Sequence, residues 1–168
     1  FPLNRSGDEE GCQWNDGVVT TPKGFKEAFK TFAENGWTAL SGNPEYGGQG
    51  MPKSLAVLFE EMMHAANTSF ALYPLLSNGA CLAIDAHASE ELKQAYLPKI
   101  YSGEWAGTMC LTEPHCGTDL GILRTRAVPQ DDGSYEVSGT KIFITGGDHD
   151  LADNIIHLVL AKLPDAPA

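Results

Sequence analysis

Two short polar segments carry the residues whose types and spacing could do chemistry. The first segment is residues 108–119 and the second segment is residues 139–147. The first contains three threonines and a Gly-Thr-Asp turn, whose glycine lets backbone approach a ligand and whose short polar side chains can bond phosphate or neighbouring amides. The second contains the aromatic Phe143 and a hydroxyl at Thr145, followed by two glycines. Together the segments offer hydroxyls, backbone amides and one aromatic face.

This set of groups suits a flat ring with polar edges better than it suits a metal or a nucleophile. A flavin needs hydrogen bonds along its pyrimidine edge and at N5, an apolar or aromatic contact on one face, and backbone donors for its pyrophosphate. The protein supplies this binding and orientation because the cofactor itself carries the redox chemistry. We therefore interpret the two segments as parts of a flavin site.

A metal site is the competing interpretation of the first segment. Cys110, His115 and Cys116 are possible ligands, but zinc sites usually show paired short ligand spacings, and here there is one close pair. The remaining histidines are scattered, and each is more often a hydrogen-bonded structural residue than a ligand. We predict no metal site. The run at residues 148–150, Asp-His-Asp, could carry acid-base chemistry, although the simpler interpretation is an exposed turn.

The two segments resemble the signature sequences of the acyl-CoA dehydrogenase family. Their usual forms are [ML]-T-E-P-x-x-G-[ST]-D and, further along, G-x-K-x-[WF]-I-T-x-G. This chain has both, at residues 111–119 and 139–147, in the same order and at about the family's separation. The resemblance extends over all 168 residues. Residues 147–150 and 154–160 are most similar to the branch that includes 3-methylmercaptopropionyl-CoA dehydrogenases.

The resemblance implies a set of cofactor contacts. Residues at the end of the first predicted strand would contact the pyrimidine edge of FAD. Thr118 would serve the pyrophosphate and also bind the CoA portion of the substrate. Phe143, which stands where many members have Trp, would lie against the ring, and Thr145 would donate toward N5. The expected cofactor-binding residues are Met109, Leu111, Thr112, Gly117, Thr118, Phe143, Ile144 and Thr145.

The implied reaction is the α,β-dehydrogenation of an acyl-CoA thioester, with hydride transfer to FAD. A carboxylate base would remove the Cα proton, which requires that the thioester oxygen be polarised. In the family this base is a glutamate on a C-terminal helical bundle that follows the β domain, so no catalytic residue is assigned in this chain. Glu113 is the tempting substitute, but its position before a proline favours a structural role in a turn.

The implied partners are an acyl-CoA substrate, an electron-transfer flavoprotein as electron acceptor and, for the full-length protein, further copies in a homo-oligomer. Two alternatives stay open: a flavin acyl-CoA oxidase, and a non-catalytic scaffold of the same fold. Both ends of the sequence look cut. We expect a fragment that binds FAD weakly and is inactive by itself.

Composition restricts the class further. A hydrophobic content of 42% in 168 residues supports a globular protein, and a net charge of −11 argues against nucleic acid as a partner. No apolar run approaches the roughly 20 residues of a membrane span, and no leader precedes a cleavage site. We expect a soluble, cytoplasmic protein. Its four cysteines lie far apart and predict reduced thiols.

The apolar spacing changes at about Trp105, from a helical period to short β-branched runs. The sequence therefore predicts an α+β chain. An all-α helical domain would occupy residues 1–104, and the first part of a small β-barrel or sandwich domain would occupy residues 105–168. The family's C-terminal four-helix bundle is absent from this chain.

In the predicted helical domain, residues 1–22 are expected to form an extended lead-in, with Leu3 and Trp14 against the helices. A helix follows, with an apolar stripe that starts at Phe25 and an end at Gly36. The glycines of residues 41–52 lack a phosphate-loop lysine and indicate a structural loop. A second helix over residues 55–66 has its predicted inward side at Leu55, Leu58, Phe59, Met62 and Met63.

Asn67 is expected to end the second helix and to cap the next segment. A helix pair is expected over residues 70–88, with interruptions near Pro74 and at residues 78–79. Leu72, Tyr73, Leu75 and Leu76 are candidates for the acyl pocket by resemblance, although core packing is the simpler account of each. Ser89 caps the last helix. Strands are predicted over residues 108–112, 123–128, 135–137, 142–144 and 155–161, with a turn at residues 130–133.

Overall fold

The computed structural model describes residues 2–166 and shows a mostly helical part, with one short hairpin after its first helix, followed by short strands. Phe1, in the predicted lead-in, and Pro167 and Ala168, in the predicted β domain, lie outside the described residues. The helices are α1 (Pro2–Glu10), α2 (Phe25–Glu34), α3 (Lys53–His87) and α4 (Glu90–Tyr101). The strands are β1 (Gln13–Asn15), β2 (Val18–Thr20), β3 (Trp105–Cys110), β4 (Arg126–Pro129), β5 (Tyr135–Ser138) and β6 (Asn154–Val159).

The strands pair into three sheets of two strands each within residues 2–166. β1 with β2 and β4 with β5 are antiparallel, whereas β3 runs parallel to β6, with Trp105 opposite Asn154. Parallel strands need a long connection, and here it contains the β4–β5 hairpin and the second segment. The fold is therefore a helical domain followed by a partial small sheet domain, as the sequence predicts. The described strands do not close into a barrel.

The predicted apolar stripe of α2 is the centre of one hydrophobic core. Phe25, Phe29 and Phe32 are buried and meet Phe70 of α3 edge-on, with ring centroids 5.8, 6.4 and 5.9 Å apart. Leu151 joins this cluster from the sheet domain. Full burial of one such side chain contributes roughly 1.5–3 kcal/mol. The cluster therefore joins the helices to the segment that follows residue 147.

The predicted break at Asn67 is confirmed inside α3. Its backbone is non-helical, with φ −165° and ψ 93°, and its side-chain oxygen accepts a hydrogen bond of 3.0 Å from the amide of Phe70. This is the geometry of an N-cap for the second half of the helix. The interruptions predicted near Pro74 and at residues 78–79 are wrong, because α3 continues to His87. Pro74 is buried, and its packing outweighs one missing helical hydrogen bond.

The inward side predicted for the first half of α3 is partly wrong. The helix buries Ala56, and Trp37 stacks on Phe59 with ring centroids 4.7 Å apart. Apolar residues lie on more than one face of this helix, so their spacing alone does not identify the covered face. Of the five residues predicted to face inward, Leu55, Leu58 and Met62 are exposed, whereas Phe59 and Met63 are partly buried.

The extended lead-in predicted for residues 1–22 is also wrong, because this region contains α1 and the β1–β2 hairpin. Gly7 allows α1 to dock, since a Cβ atom there would lie 2.8 Å from the ring of Phe25. Leu3 packs against the phenylalanine cluster as predicted, whereas Trp14 is 70% exposed. The docking depends on a tertiary contact with α2, which the local pattern does not reveal.

The ends of α2 and α4 agree with the sequence. α2 stops at Glu34, just before Gly36, and the Ser89 side chain accepts a hydrogen bond of 3.4 Å from the amide of Leu92 at the start of α4. Leu97 of α4 is fully buried in a second core that also contains residues of α3. No helix within residues 2–166 is both long and apolar enough to span a membrane.

β3 lies directly on α3, and a glycine makes this approach possible. The amide of Gly107 donates a 3.0 Å hydrogen bond to the Ser77 hydroxyl, and a Cβ atom on Gly107 would lie 2.5 Å from that of Ala80. β3 starts and ends earlier than the predicted strand 108–112. It therefore contains Met109 and ends at Cys110, immediately before Leu111 and Thr112, which are also expected to contact a cofactor.

Candidate functional site

The first segment leaves β3 and closes a tight turn. Glu113 and Cys116 exchange two backbone hydrogen bonds, of 2.7 and 3.0 Å, around Pro114. The loop then passes through Gly117 and Thr118, which are both exposed. A Cβ atom on Gly117 would meet no atom within 4 Å, so this stretch of backbone is open to a ligand.

The Glu113 carboxylate is the anchor of this turn. It is 3% exposed and accepts hydrogen bonds from the Thr125 hydroxyl, from the amides of Arg124 and Thr125 at 2.8 Å each, and from the Lys141 ammonium at 3.0 Å. These donors hold the pKa of Glu113 far below its ordinary value, with the Thr125 hydroxyl making the largest contribution. A carboxylate held in its ionised form is a poor proton acceptor. The geometry therefore agrees with a structural role for Glu113.

The second segment lies beside the first and is attached to it by four hydrogen bonds. Besides its bond to Glu113, the Lys141 ammonium donates to the carbonyl of Leu111 at 2.9 Å. The amide of Ile142 donates to the carbonyl of Thr112 at 2.9 Å. The Thr108 hydroxyl donates to the carbonyl of Thr145 at 2.6 Å. Residues 28 or more apart in sequence therefore form one edge of the molecule.

The strand predicted over residues 142–144 is wrong. These residues form no strand. Phe143 has a φ of 57°, which lies in the left-handed region. That conformation costs a bulky residue about 1–2 kcal/mol. The bonds made by Ile142 and Thr145 fix the backbone on both sides of Phe143. Its side chain is 86% exposed, and a strained, exposed aromatic residue is typical of a ligand site.

The expected cofactor-binding residues lie at or near this edge. The hydroxyls of Thr112, Thr118 and Thr145 form no hydrogen bond with any other described residue. Met109 is 43% exposed. No hydrogen bond in residues 2–166 links Thr118 directly to the second segment. The remaining expected residues include Leu111 and Ile144, which are half-buried.

Two family profiles match the sequence. "Acyl-CoA dehydrogenase, N-terminal domain" covers residues 13–104, and "Acyl-CoA dehydrogenase, middle domain" covers residues 108–167. The chain belongs to the acyl-CoA dehydrogenase family. The resemblance of the two segments to the family signatures is thus confirmed.

The relatives of this acyl-CoA dehydrogenase chain agree with the branch suggested by its sequence. It is 51% identical over 166 residues to 3-methylmercaptopropionyl-CoA dehydrogenase of Ruegeria pomeroyi, covering 99% of this chain and 28% of the relative. It is 44% identical over 173 residues to butyryl-CoA dehydrogenase of Syntrophomonas wolfei, covering 98% and 28%. The chain therefore spans about 28% of the length of these curated relatives.

The fold is similar to that of solved acyl-CoA dehydrogenases. The acyl-CoA dehydrogenase of Bacillus anthracis, solved in complex with FAD, superposes with a TM-score of 0.73 and 31% sequence identity. The superposition covers 83% of this chain and 24% of that chain.

The structure of this acyl-CoA dehydrogenase chain also brings in residues that the sequence analysis missed. Lys141 is the main one, because its half-buried ammonium joins both segments. A signal was present in the sequence, since Glu113 and Lys141 occupy fixed positions of the two family signatures. Thr125, which donates to Glu113, had no such signal.

The exposed turn predicted for residues 148–150 is wrong in part. His149 is buried and packs edge-on against Tyr73, with ring centroids 5.0 Å apart. Burial lowers the pKa of His149, opposed by the charges of the neighbouring aspartates. The carboxylate of Asp150 accepts hydrogen bonds of 3.0 and 2.7 Å from the amide and hydroxyl of Thr21. These contacts fasten the end of the second segment to the helical domain.

The three residues considered as metal ligands have other partners. The Cys110 thiol lies 3.5 Å from Nδ1 of His157, and the Cys116 thiol donates to the carbonyl of Asp119 at 3.0 Å. Nε2 of His115 lies 3.1 Å from the carbonyl oxygen of Ile122. Among residues 2–166 no three His, Cys, Asp or Glu side chains are grouped to hold a metal ion. All four cysteines are free thiols.

Proposed function

We propose that the protein carrying this chain is a flavin-dependent acyl-CoA dehydrogenase, which introduces a double bond between the α and β carbons of an acyl-CoA thioester. One observation carries the proposal: the second segment is bonded to the first and presents the strained, exposed Phe143 near the Thr145 hydroxyl, which has no hydrogen-bond partner among the described residues. Membership of the family supports the same reaction.

FAD is the proposed cofactor, and the residues present fit it. A flavin needs hydrogen-bond donors at its edge and an apolar contact on its face. The hydroxyls of Thr112 and Thr145 are available as donors, and Phe143 and Met109 are available as apolar contacts. When bound, FAD supplies the acceptor for the substrate's hydride.

Five residues of the two segments have a proposed role in binding. Thr112, with the backbone around it, holds the pyrimidine edge, and the Thr145 hydroxyl donates toward N5. Phe143 covers the ring and excludes water. The open backbone at Gly117 and the hydroxyl of Thr118 bind the pyrophosphate, and Thr118 also binds the CoA portion of the substrate.

The carboxylate base is not among the residues proposed for the site in this chain. Glu113 keeps its charge in the folded protein and its oxygens are occupied by four donors, so it does not take the Cα proton. We propose a glutamate of a C-terminal helical bundle as the base. We likewise propose that the helical domain ends at residue 104 and that the β domain begins at residue 105.

The proposed partners follow the family. They are an acyl-CoA substrate, an electron-transfer flavoprotein that reoxidises the cofactor, and further copies of the protein in a homo-oligomer. Acyl groups of the size of butyryl or 3-methylmercaptopropionyl are the first to test, since relatives named for both are 44–51% identical to this chain over the aligned residues. The cytoplasmic location stays a prediction.

The test uses the full-length protein purified without added flavin. We expect a yellow protein whose visible flavin absorbance is bleached by butyryl-CoA or 3-methylmercaptopropionyl-CoA under nitrogen. Thr145→Val should slow the bleaching, whereas Thr140→Val, an exposed threonine of the same segment, should not. A colourless protein that never binds FAD would favour the scaffold. Rapid reoxidation by air with formation of hydrogen peroxide would favour the oxidase.

A further inference from the structure

Two of the three arginines of this acidic chain line the same cleft, together with a lysine. The net charge is −11, and the arginines of the sequence are Arg5, Arg124 and Arg126. Arg124, Arg126 and Lys162 line a cleft of about 600 Å³. We call it the arginine cleft. Its other lining residues carry no carboxylate and are Leu123, Leu163, Pro164 and Ala166.

The backbone of the arginine cleft is fixed by the same anchor as the candidate cofactor site. The Glu113 carboxylate accepts hydrogen bonds from the amides of Arg124 and Thr125, and the Thr125 side chain is buried. Side chains alternate along an extended chain, so Arg124 and Arg126 point away from Thr125, with roughly 7 Å between their backbone positions. Both arginines are exposed.

Lys162 is held beside the arginines by its own backbone. Its amide donates to the carbonyl of Thr125 at 2.8 Å, and its carbonyl accepts from the amide of Ala127 at 3.0 Å. The ammonium donates to the carbonyl of Gly121 at 2.7 Å. This contact ties the cleft to the loop that carries Thr118, the residue proposed to bind CoA. The clustered cations therefore occupy a defined position, bonded to a loop that also carries a residue of the proposed substrate site.

The arginines of the cleft have no acidic partner among the residues that the structure describes. Across residues 2–166, neither Arg124 nor Arg126 forms an ion pair, whereas Arg5 pairs with Glu9 at 2.8 Å. Two unpaired guanidinium groups and an ammonium create a local positive potential in a chain that is otherwise negative. The planar fork of arginine matches the oxygens of a phosphate group.

We propose that the arginine cleft binds the 3′-phosphate of the substrate's CoA. The inference rests on the proposed function for the identity of the ligand. CoA and FAD both carry phosphates, but those of FAD form an internal pyrophosphate, for which Gly117 and Thr118 are the proposed partners. The 3′-phosphate is a terminal monoester that carries up to two negative charges near neutral pH. It is the better match for two arginine forks at the rim of the site.

The test compares the binding of CoA and of 3′-dephospho-CoA to the full-length protein by titration calorimetry at low salt. We expect the wild type to bind CoA at least about tenfold more tightly, the effect of roughly one charge-assisted contact. The double variant R124Q/R126Q should bind the two ligands equally, with the wild-type affinity for 3′-dephospho-CoA. R5Q, a matched arginine far from the cleft in sequence, should keep the wild-type ratio. Thermal melting of each variant checks that it is folded.

An unchanged preference for CoA in the double variant would overturn the proposal. So would equal binding of the two ligands by the wild type. The flavin content of the variant distinguishes FAD from CoA as the ligand whose phosphate binds in the cleft. If R124Q/R126Q loses FAD but keeps its preference for CoA, the cleft binds the cofactor and the assignment to CoA is wrong. A colourless protein that still shows the predicted preference would contradict the proposed function and leave the arginine cleft in place.

Discussion

The two segments that form the candidate cofactor site are built in different ways. The first follows a strand paired with β6 and closes a backbone-bonded turn, so regular hydrogen bonds determine much of its shape. The second has no regular structure from residue 139 to 144 and takes its shape from bonds to the first segment. One segment is therefore a scaffold, and the other depends on a small number of side-chain contacts.

This difference in construction explains why the strained backbone lies in the second segment. In the second segment Phe143 has an unfavourable φ of 57°, and Ile142 before it and Thr145 two positions after it are bonded to the first segment. Positive φ at a bulky residue persists when surrounding structure over-determines it. The residue expected to lie against the cofactor is thus positioned by its neighbours, and breaking their attachment should affect it first.

The largest expected effect comes from Glu113→Gln, which removes the charge that joins both segments. A buried ion pair that loses one partner leaves an uncompensated charge on the other, here Lys141. We expect the melting temperature to fall by roughly 10 °C and FAD retention to weaken. The matched control is Glu104→Gln, which breaks the exposed pair with Lys99 at 3.1 Å and should change melting by little.

If Glu113→Gln melted like its control, the Glu113–Lys141 pair would not be what joins the two segments. The double variant E113Q/K141M tests the pair directly. Because the two residues act as a pair, its loss of stability should be smaller than the sum of the two single losses. Additive losses would mean that the segments are joined mainly by the backbone bond between Ile142 and Thr112.

The first segment should instead be sensitive to packing. Gly107→Ala places a Cβ atom 2.5 Å from that of Ala80, and overpacking of this kind costs about 1–3 kcal/mol. Gly117→Ala, where nothing lies within 4 Å, is the control and should leave the free energy of unfolding nearly unchanged. Denaturant unfolding measures both. Equal effects of the two substitutions would show that contact with α3 does not position β3.

Acid should weaken the contacts made by His149 and those made by Glu113 in separate pH ranges. The folded protein lowers the pKa of His149 by burial, so the unfolded chain takes up a proton below its ordinary pKa of about 6.5 that the folded chain resists. Stability should therefore decrease as pH falls below about 6.5. The lowered pKa of Glu113 adds a second loss below its ordinary value of about 4.3.

Melting temperature against pH separates these two losses. His149→Asn, whose side-chain oxygen can still accept a hydrogen bond from the Leu151 amide, should remove the first loss. Glu113→Gln should remove the second. His87→Asn, at an exposed position, is the control for the first range. If His149→Asn keeps the full slope between pH 7 and pH 5, burial of His149 does not account for it.

The smallest effect on stability is expected at Phe143. Its side chain is 86% exposed, so Phe143→Gly loses almost no burial and relieves the left-handed backbone. We expect the free energy of unfolding to rise by up to about 1 kcal/mol while the affinity for FAD falls. Phe143→Leu keeps the strain and removes the ring, so it should lower the affinity without the gain. Stabilisation with unchanged FAD affinity would exclude contact with the cofactor.

Much of this molecule was determined locally by its sequence. The stripe of α2, the cap at Ser89, the break at Asn67 and the change to strands at about Trp105 each depend on residues a few positions apart, so their patterns predict them. The two signatures identify the family for the same reason. They are contiguous runs in which each residue type can be compared directly.

Only the tertiary structure decided how those runs meet. The docking of α1, the exposed side of α3, the burial of His149 and the left-handed Phe143 all result from contacts between distant residues. Glu113 and Lys141 are 28 residues apart. A charged side chain is predicted to be exposed unless its ion-pair partner is known, and the sequence does not show which residues pair. Propensity acts over one or two turns of chain, whereas burial and ion pairing depend on which surfaces meet after folding.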